Sequence, residues 1–528
     1  MNLRDEFESF KENLKLSKKY WLTYLIFILI TCLSTVYNDS VTHPKLVILL
    51  FIATSLLGIF CIVYYFMHND DGQLYKVAFV IIISFGLLCC FFTPIVNHVD
   101  ELEHLTRSEI TSQGVIFPDW IGDEMGIDRL YNASSGEKSD IYNHGVGFKT
   151  IESIKFYSTF REKTMLQTHN DTDKINTTPF IRGSAFEQNP FYGYLPQGIG
   201  IFIAKLLDLN VIWILWLGRA FNLIFYACVV SLAVRKSPSL KVPLMIVACI
   251  PIAIYHAASV SIDAMIFALG LLAIAYFIYM CQSDESSLDN KDILVYSIIC
   301  LLLGLCKLPY LAFIFLLLFV PKANFRKYNI IPILLCILVI GAVGIIWSRY
   351  STPALMHSWR SNLNYVNSTK QMDYLINNPP EILTFLKHTL TGGLSYILSE
   401  LFNFDYRYPE SFARYALITI LLQIYLAISL FAYPNEYRFD IKAKVGSLLV
   451  LLIIYFATFF IQLLTWANVG NMQVGVHMRY FIPLFALIPI IIQIKKNPFE
   501  RKTFDKFIVV FMVGFMATLF MALVTRFY

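Results

Sequence analysis

This sequence is short of charge. Asp, Glu, Lys and Arg make up 15% of its 528 residues while 57% are hydrophobic, where a soluble domain carries about a quarter charged residues. One water-exposed core cannot bury that much apolar sequence, so a soluble fold is excluded and a polytopic membrane protein is expected. Cysteine is missing from the long polar stretches. All ten (Cys32, Cys61, Cys89, Cys90, Cys228, Cys249, Cys281, Cys300, Cys306 and Cys336) lie in or at the ends of apolar runs, which leaves no disulfide framework and no metal-finger spacing. A net charge of +5 implies no nucleic-acid partner, and the first apolar run lacks a small-residue cleavage site, so it reads as an anchor.

What is present is a series of apolar runs long enough to cross roughly 30 Å of hydrocarbon. Residues 1–20 form an amphipathic, Lys-rich start expected at the cytoplasmic surface. Three spans are expected in 21–97, then a first outer loop over 98–208, with 195–208 as a juxtamembrane helix. Central spans follow within 209–349, including a run at 241–257 and an unusually short pair around Lys307-Leu-Pro-Tyr310. A second outer loop covers 350–412, with an amphipathic surface helix at Ile382 to Leu401, and the last spans lie in 413–528. Inner loops then hold Lys322, Arg326 and Lys327, Arg438, Lys442 and Lys444, and Lys495, Lys496, Arg501, Lys502 and Lys506, while the outer loop 467–476 holds no Lys or Arg. The asymmetry gives about thirteen crossings with the N-terminus inside.

Chemistry is expected where the third span meets Val99-Asp-Glu-Leu-Glu-His104. A helix there would put Asp100 and His104 on one face with Glu101 beside them, and carboxylates next to an imidazole at the edge of lipid suit proton transfer. The first loop adds Asp119, Asp123, Glu124 and Asp128, together with the turn-rich pieces 132–136 and 182–184, read as a solvated cap. Charges at membrane depth are costly and mark function. Arg219, Asp263, Lys307 and Arg479 fall at the same outer level as Asp100, with Tyr255, His256 and His477 close by. Guanidinium groups at Arg219 and Arg479 suit a lipid phosphate. The structural alternatives are an Arg219–Asp263 ion pair, snorkelling of Arg479 and Lys307, and histidines satisfied within the bundle.

Five stretches, Val99–His104, Tyr194-Leu-Pro-Gln-Gly-Ile-Gly200, Leu217-Gly-Arg-Ala-Phe-Asn222, Pro251–Ala264 and Gly475-Val-His-Met-Arg-Tyr-Phe-Ile-Pro483, together resemble the bacterial membrane family called domain of unknown function 2142. That family is similar in layout to the C-type (GT-C) membrane glycosyltransferases. The resemblance implies an all-α polytopic GT-C-like bundle in the cytoplasmic membrane, with its active site facing outside. It also implies a polyprenyl-phosphate sugar donor and a cell-surface glycan acceptor. Asp100 is then the expected catalytic acidic residue, acting as general base, with Glu101 its neighbour and Arg479 the phosphate contact. His104, Arg219, Asp263, Lys307, His477, Tyr255 and His256 are expected around the substrate. Asp100 and Glu101 are weak candidates to hold Mg²⁺ or Mn²⁺, and inversion is expected, with a retaining scheme as its alternative. The chain departs from the pattern in its two additional early spans and in His477-Met478, where Gln-Gly is expected. Rival readings are a transporter or flippase for lipid-linked sugars, a polysaccharide polymerase, and a non-catalytic partner of another transferase. No inverted repeat supports the transporter.

Overall fold

The computed structural model describes residues 3–117, 163–168, 172–175, 186, 188–357, 366–404, 414–494 and 500–528. Asp119, Asp123, Glu124, Asp128, the turns at 132–136 and 182–184, Lys495 and Lys496 lie outside the described residues. The described chain is helical apart from turns and isolated bridges. Eight of its helices are long and apolar enough to cross a membrane: Lys18–Asn38, Pro44–Met67, Leu74–Phe92, Ile212–Lys236, Asp263–Gln282, Ile330–Thr352, Ile441–Trp466 and Arg501–Phe527. Shorter apolar helices lie at Leu308–Phe319, Ala416–Phe431 and Met478–Ile491.

Burial separates these helices by role. Asp263–Gln282 and Arg501–Phe527 are 89% buried inside the bundle, whereas Ile330–Thr352 is only 17% buried. A helix that is apolar all round and exposed all round needs a lipid solvent. The two central helices instead exchange that lipid contact for packing against Leu74–Phe92, Ile212–Lys236 and their neighbours. Two polar clusters mark opposite ends of the bundle. At one end Asp39 accepts from Arg414 Nη1 (2.9 Å), Tyr415 OH (2.9 Å) and Thr525 Oγ1 (3.1 Å), and Tyr528 OH donates to the Phe92 carbonyl (3.1 Å). At the other end Arg501 Nη2 donates to Asp71 (2.7 Å) and Tyr433 OH to Asp505 (2.9 Å). The Leu74–Phe92 helix, at about 1.5 Å per residue, separates these ends by roughly 28 Å.

Proline interrupts the run expected at 241–257. Two short helices, Lys241–Ala248 and Pro251–Ala257, replace one continuous span. Pro251 has no N–H to donate and its ring disfavours helical geometry at the preceding residue; Ile250 is accordingly extended, with φ −57° and ψ 131°. Other apolar stretches tighten into 3₁₀ geometry: Leu308–Phe319 opens on a proline and Met478–Leu487 carries Pro483 inside it. The second polar segment lays the Ser368–Asn377 helix and Phe385 of Pro380–His388 against Ile441–Trp466, while the turn Glu400–Phe402 packs on Pro251–Ala257 and Ala416–Leu426. Tyr455 OH there donates to the Thr389 carbonyl at 2.8 Å.

Candidate functional site

The junction after Leu74–Phe92 is backbone-strained. Val96 and Asp100 have φ of 52° and 57°, the left-handed region that costs an L-residue about 1–2 kcal/mol and is a genuine outlier for a β-branched side chain. Asp100 is therefore not part of the helix expected through it. It caps the Glu101–Ser112 helix from outside, and the bend sends the two neighbouring carboxylates to different places. The Asp100 side chain is 45% exposed, while that of Glu101 is 0% exposed.

Glu101 meets Arg219. Nε and Nη2 of the guanidinium reach the two carboxylate oxygens at 2.8 and 2.6 Å. Nη1 donates to the Cys90 and Thr93 carbonyls, each at 2.9 Å, and Nη2 also donates to Pro94 at 3.1 Å. Those contacts use all five donors of the group. The expectation of a phosphate contact at Arg219 is thus corrected, and so is its alternative partner, Asp263. Arg219 is a clamp on the strained junction, capping the last carbonyls of the third span. Glu101, expected as a second catalytic carboxylate, is the other half of that clamp.

Three of the motifs share one structural task. Gln197 Nε2 donates to the carbonyls of Val260 (3.3 Å) and Ser261 (3.1 Å), and Asn222 Nδ2 donates to those of Ser259 (2.7 Å) and Ser261 (2.9 Å). Together they hold the turn between Pro251–Ala257 and Asp263–Gln282. Gly200 lies so close to the Leu217 carbonyl that a side chain would collide with it, which is what brings the two gripping helices into backbone contact. His104 reaches the same turn. Its ring pairs with Tyr194 OH through Nδ1 (2.8 Å), approaches Ser261 Oγ through Nε2 (3.4 Å) and stacks on Phe186 at 4.1 Å. Burial pushes the His104 pKa down to about 4, with Asp263 and Asp100 pulling weakly the other way. At neutral pH it is an uncharged scaffold residue, apart from the exposed Asp100 carboxylate.

The turn delivers Asp263. Its carboxylate lies 3.6 Å from His256 Nδ1 and 3.7 Å from Arg479 Nε. Arg479 Nη2 approaches Asp100 at 3.4 Å and Tyr480 OH at 3.5 Å. Arg479 therefore bridges two acids from distant parts of the chain. These contacts are longer than the about 2.7–2.9 Å of a tight charge-assisted bond, in contrast with the closed Glu101–Arg219 pair. Lys307 Nζ sits 3.0 Å above the Tyr480 ring, a cation–π contact that holds it near Arg479. Tyr255 is buried below, accepting from Asn97 at 3.4 Å with its ring against His98 at 4.0 Å.

Two residues of this region are missing from the expectations. Glu400, completely buried in the second polar segment, meets His477 Nδ1 at 3.0 Å and accepts from the Met478 N–H at 2.8 Å. The available signal was a lone acid among Tyr396-Ile-Leu-Ser-Glu-Leu-Phe402. Arg107, 0% exposed, donates to Thr111 (2.8 Å), Ile116 (3.3 Å) and Asn189 (3.4 Å); it sits inside an ordinary polar helix pattern that signals nothing. A metal does not fit Asp100 and Glu101, because the Glu101 carboxylate is turned into the Arg219 pair. Among the described residues, no three His, Cys, Asp or Glu side chains come together as a metal-binding group.

No curated protein and no solved structure matches the chain. A family match runs over residues 83–488, from within the third span through Arg479. The chain belongs to the family described as predicted membrane protein (DUF2142).

Proposed function

We propose that the protein is a membrane glycosyltransferase which moves a sugar from a polyprenyl-phosphate donor to a glycan acceptor on the outer side of the cytoplasmic membrane. In this reading the three shorter apolar helices, the Asn290–Cys306 helix and the broken pair Lys241–Ala248 and Pro251–Ala257 cross as well, giving thirteen crossings, an inner N-terminus and an outer site. The observation that carries it is the Asp100–Arg479–Asp263 arrangement. A half-exposed carboxylate is held on strained backbone beside a buried guanidinium whose ion contacts are loose. Strain of that kind persists where function over-determines it.

The acceptor hydroxyl oxygen attacks the anomeric carbon. The bond from that carbon to the phosphate oxygen breaks, and its electron pair leaves with the polyprenyl phosphate. Asp100 takes the hydroxyl proton as general base. Arg479, with Lys307 nearby, stabilises charge gathering on the departing phosphate in a site of low dielectric. Asp263 and His256 keep Arg479 in place. One displacement inverts the anomeric centre.

The test is sugar transfer from radiolabelled polyprenyl-phosphate sugars by purified protein in detergent or nanodiscs. Wild type should transfer label to a glycan acceptor, and Asp100→Asn should lose transfer while remaining folded. Consumption of no donor, together with movement of intact lipid-linked sugar across proteoliposomes, overturns the enzyme reading in favour of a transporter.

A further inference from the structure

We infer that Gln371 and Glu400 are positioning residues: they hold the backbone that leads into Arg479, and through it they set where the guanidinium meets a lipid phosphate. The inference rests on the glycosyltransferase reading and gives the second polar segment a part in it.

Arg479 reaches Asp100 at 3.4 Å and Asp263 at 3.7 Å, so its Cα must stand at a definite place for the guanidinium to lie between the two acids. The chain just before it, 467–477, has no regular structure, and Gly470 turns it through the left-handed region at φ 86°. The N–H and C=O groups of such a stretch need partners from other parts of the chain. Past Arg479 the bundle supplies one, because Tyr310 OH donates to the Tyr480 carbonyl at 2.8 Å. Ahead of Arg479 the second polar segment supplies three.

Gln371, in the Ser368–Asn377 helix, is 0% exposed. Its Oε1 accepts from the Gly470 N–H at 2.7 Å and its Nε2 donates to the Asn471 carbonyl at 3.3 Å. One side-chain amide thus satisfies both a donor and an acceptor of the turn. Glu400, also 0% exposed, accepts from the N–H of Met478, the residue next to Arg479, at 2.8 Å. These two grips bracket residues 470–478. The Leu394–Ser399 helix that leads to Glu400 also packs on the Met478–Leu487 helix. Burying a carboxylate and an amide is costly unless their bonds are made, and here the bonds of both end on the one loop before Arg479. The second polar segment therefore carries the Arg479 backbone from one side while the bundle holds it from the other. Misplacing a group at the reacting centre by about 1 Å costs up to about a hundredfold in rate, which is the effect expected when a grip is removed.

The test is transfer kinetics with the radiolabelled donor on purified full-length protein, expressed per folded molecule from size-exclusion profiles. Gln371→Met keeps the size of the side chain and removes both bonds. Glu400→Leu removes the acceptor for Met478, and Glu400→Gln keeps one. Gln371→Met and Glu400→Leu should each lower kcat by roughly ten- to hundredfold, with little change in KM for the donor. Glu400→Gln should retain most of the wild-type kcat. Should Gln371→Met not fold, Gln371→Asn, one methylene short of the loop, takes its place. In an Arg479→Lys background the Gln371 substitution should lose most of its effect, since a residue acting through Arg479 then has little more to remove.

A wild-type kcat per folded molecule in the Gln371 variant, with only the thermal midpoint lowered, overturns the inference and leaves a structural tie. An effect that adds in full to that of Arg479→Lys overturns it too, because Gln371 then acts elsewhere. Both results leave the glycosyltransferase reading standing. If wild type transfers no sugar, that reading itself falls and the inference falls with it.

Discussion

Arg219 and Glu101 are 118 positions apart in the chain and bind each other bidentately with neither side chain exposed. Removing one partner of such a buried pair leaves an uncompensated charge and costs about 3–5 kcal/mol. Glu101→Gln and Arg219→Leu should therefore reduce the yield of monodisperse protein and lower the thermal midpoint in detergent. Loss of function in these variants should track loss of fold, which size-exclusion profiles measured alongside activity will show.

Arg479 predicts the opposite pattern. Its contacts with Asp100 and Asp263 are loose, so Arg479→Lys should keep the thermal midpoint close to wild type. Under the proposed reaction, transfer should fall by roughly a hundredfold, the scale of losing one well-placed donor to a developing anion. A destabilisation as large as that of Arg219→Leu would reassign Arg479 to the scaffold.

Asp100 combines an unfavourable backbone with an exposed carboxylate. Glycine carries no penalty in the left-handed region, so Asp100→Gly should be neutral or stabilising by about 1 kcal/mol. Asp100→Val should destabilise. Both should abolish transfer, and thermal unfolding beside the transfer assay separates the backbone effect from the chemical one.

His104 should make stability depend on pH in a defined window. Its folded pKa is pushed down to about 4 by burial, below the unfolded value near 6.5, so the unfolded chain takes up the proton first. The stability contribution of the neutral ring is complete above about pH 6.5 and is lost as pH falls toward 4, at about 1.4 kcal/mol per unit. Between pH 7 and pH 5 this amounts to about 2 kcal/mol. His104→Gln should flatten that part of a plot of thermal midpoint against pH, and an unchanged slope would show the acid sensitivity to lie elsewhere.

The grip on the Ser259–Ser261 turn gives a further variant. Asn222→Leu strips two donors from buried carbonyls, and unsatisfied buried groups cost about 1–3 kcal/mol each. The thermal midpoint should fall, and transfer by the surviving folded protein should fall with it, because the turn also carries Asp263. Activity that persists at the wild-type level per folded molecule would show that the turn does not set the site.

Much of the fold was legible in the residues because hydropathy is additive along the chain. A run such as Pro44–Met67 must cross lipid or remain insoluble whatever its neighbours are. The break at Pro251 was locally encoded as well, by a ring that removes a backbone donor and kinks or breaks a helix, yet the apolar run around it masked the signal. The acidic motif and the arginine at 479 also stood out locally, as charges where the surrounding sequence is apolar.

Which charge meets which was decided only by the tertiary structure. The sequence offered Asp263 as the acid for Arg219, yet Arg219 takes Glu101, because the left-handed turn at Asp100 swings adjacent carboxylates apart. Arg479 reaches Asp100 across 379 positions and Glu400 reaches His477 across 77. Coulomb attraction and hydrogen bonding act over a few ångströms of space, and no periodicity in the chain encodes a distance of that kind. The sequence by itself therefore determined that the chain lies in a membrane and carries costly charges near one end of its spans; packing alone determined which of those charges are locked into the scaffold and which meet in the looser Asp100–Arg479–Asp263 cluster.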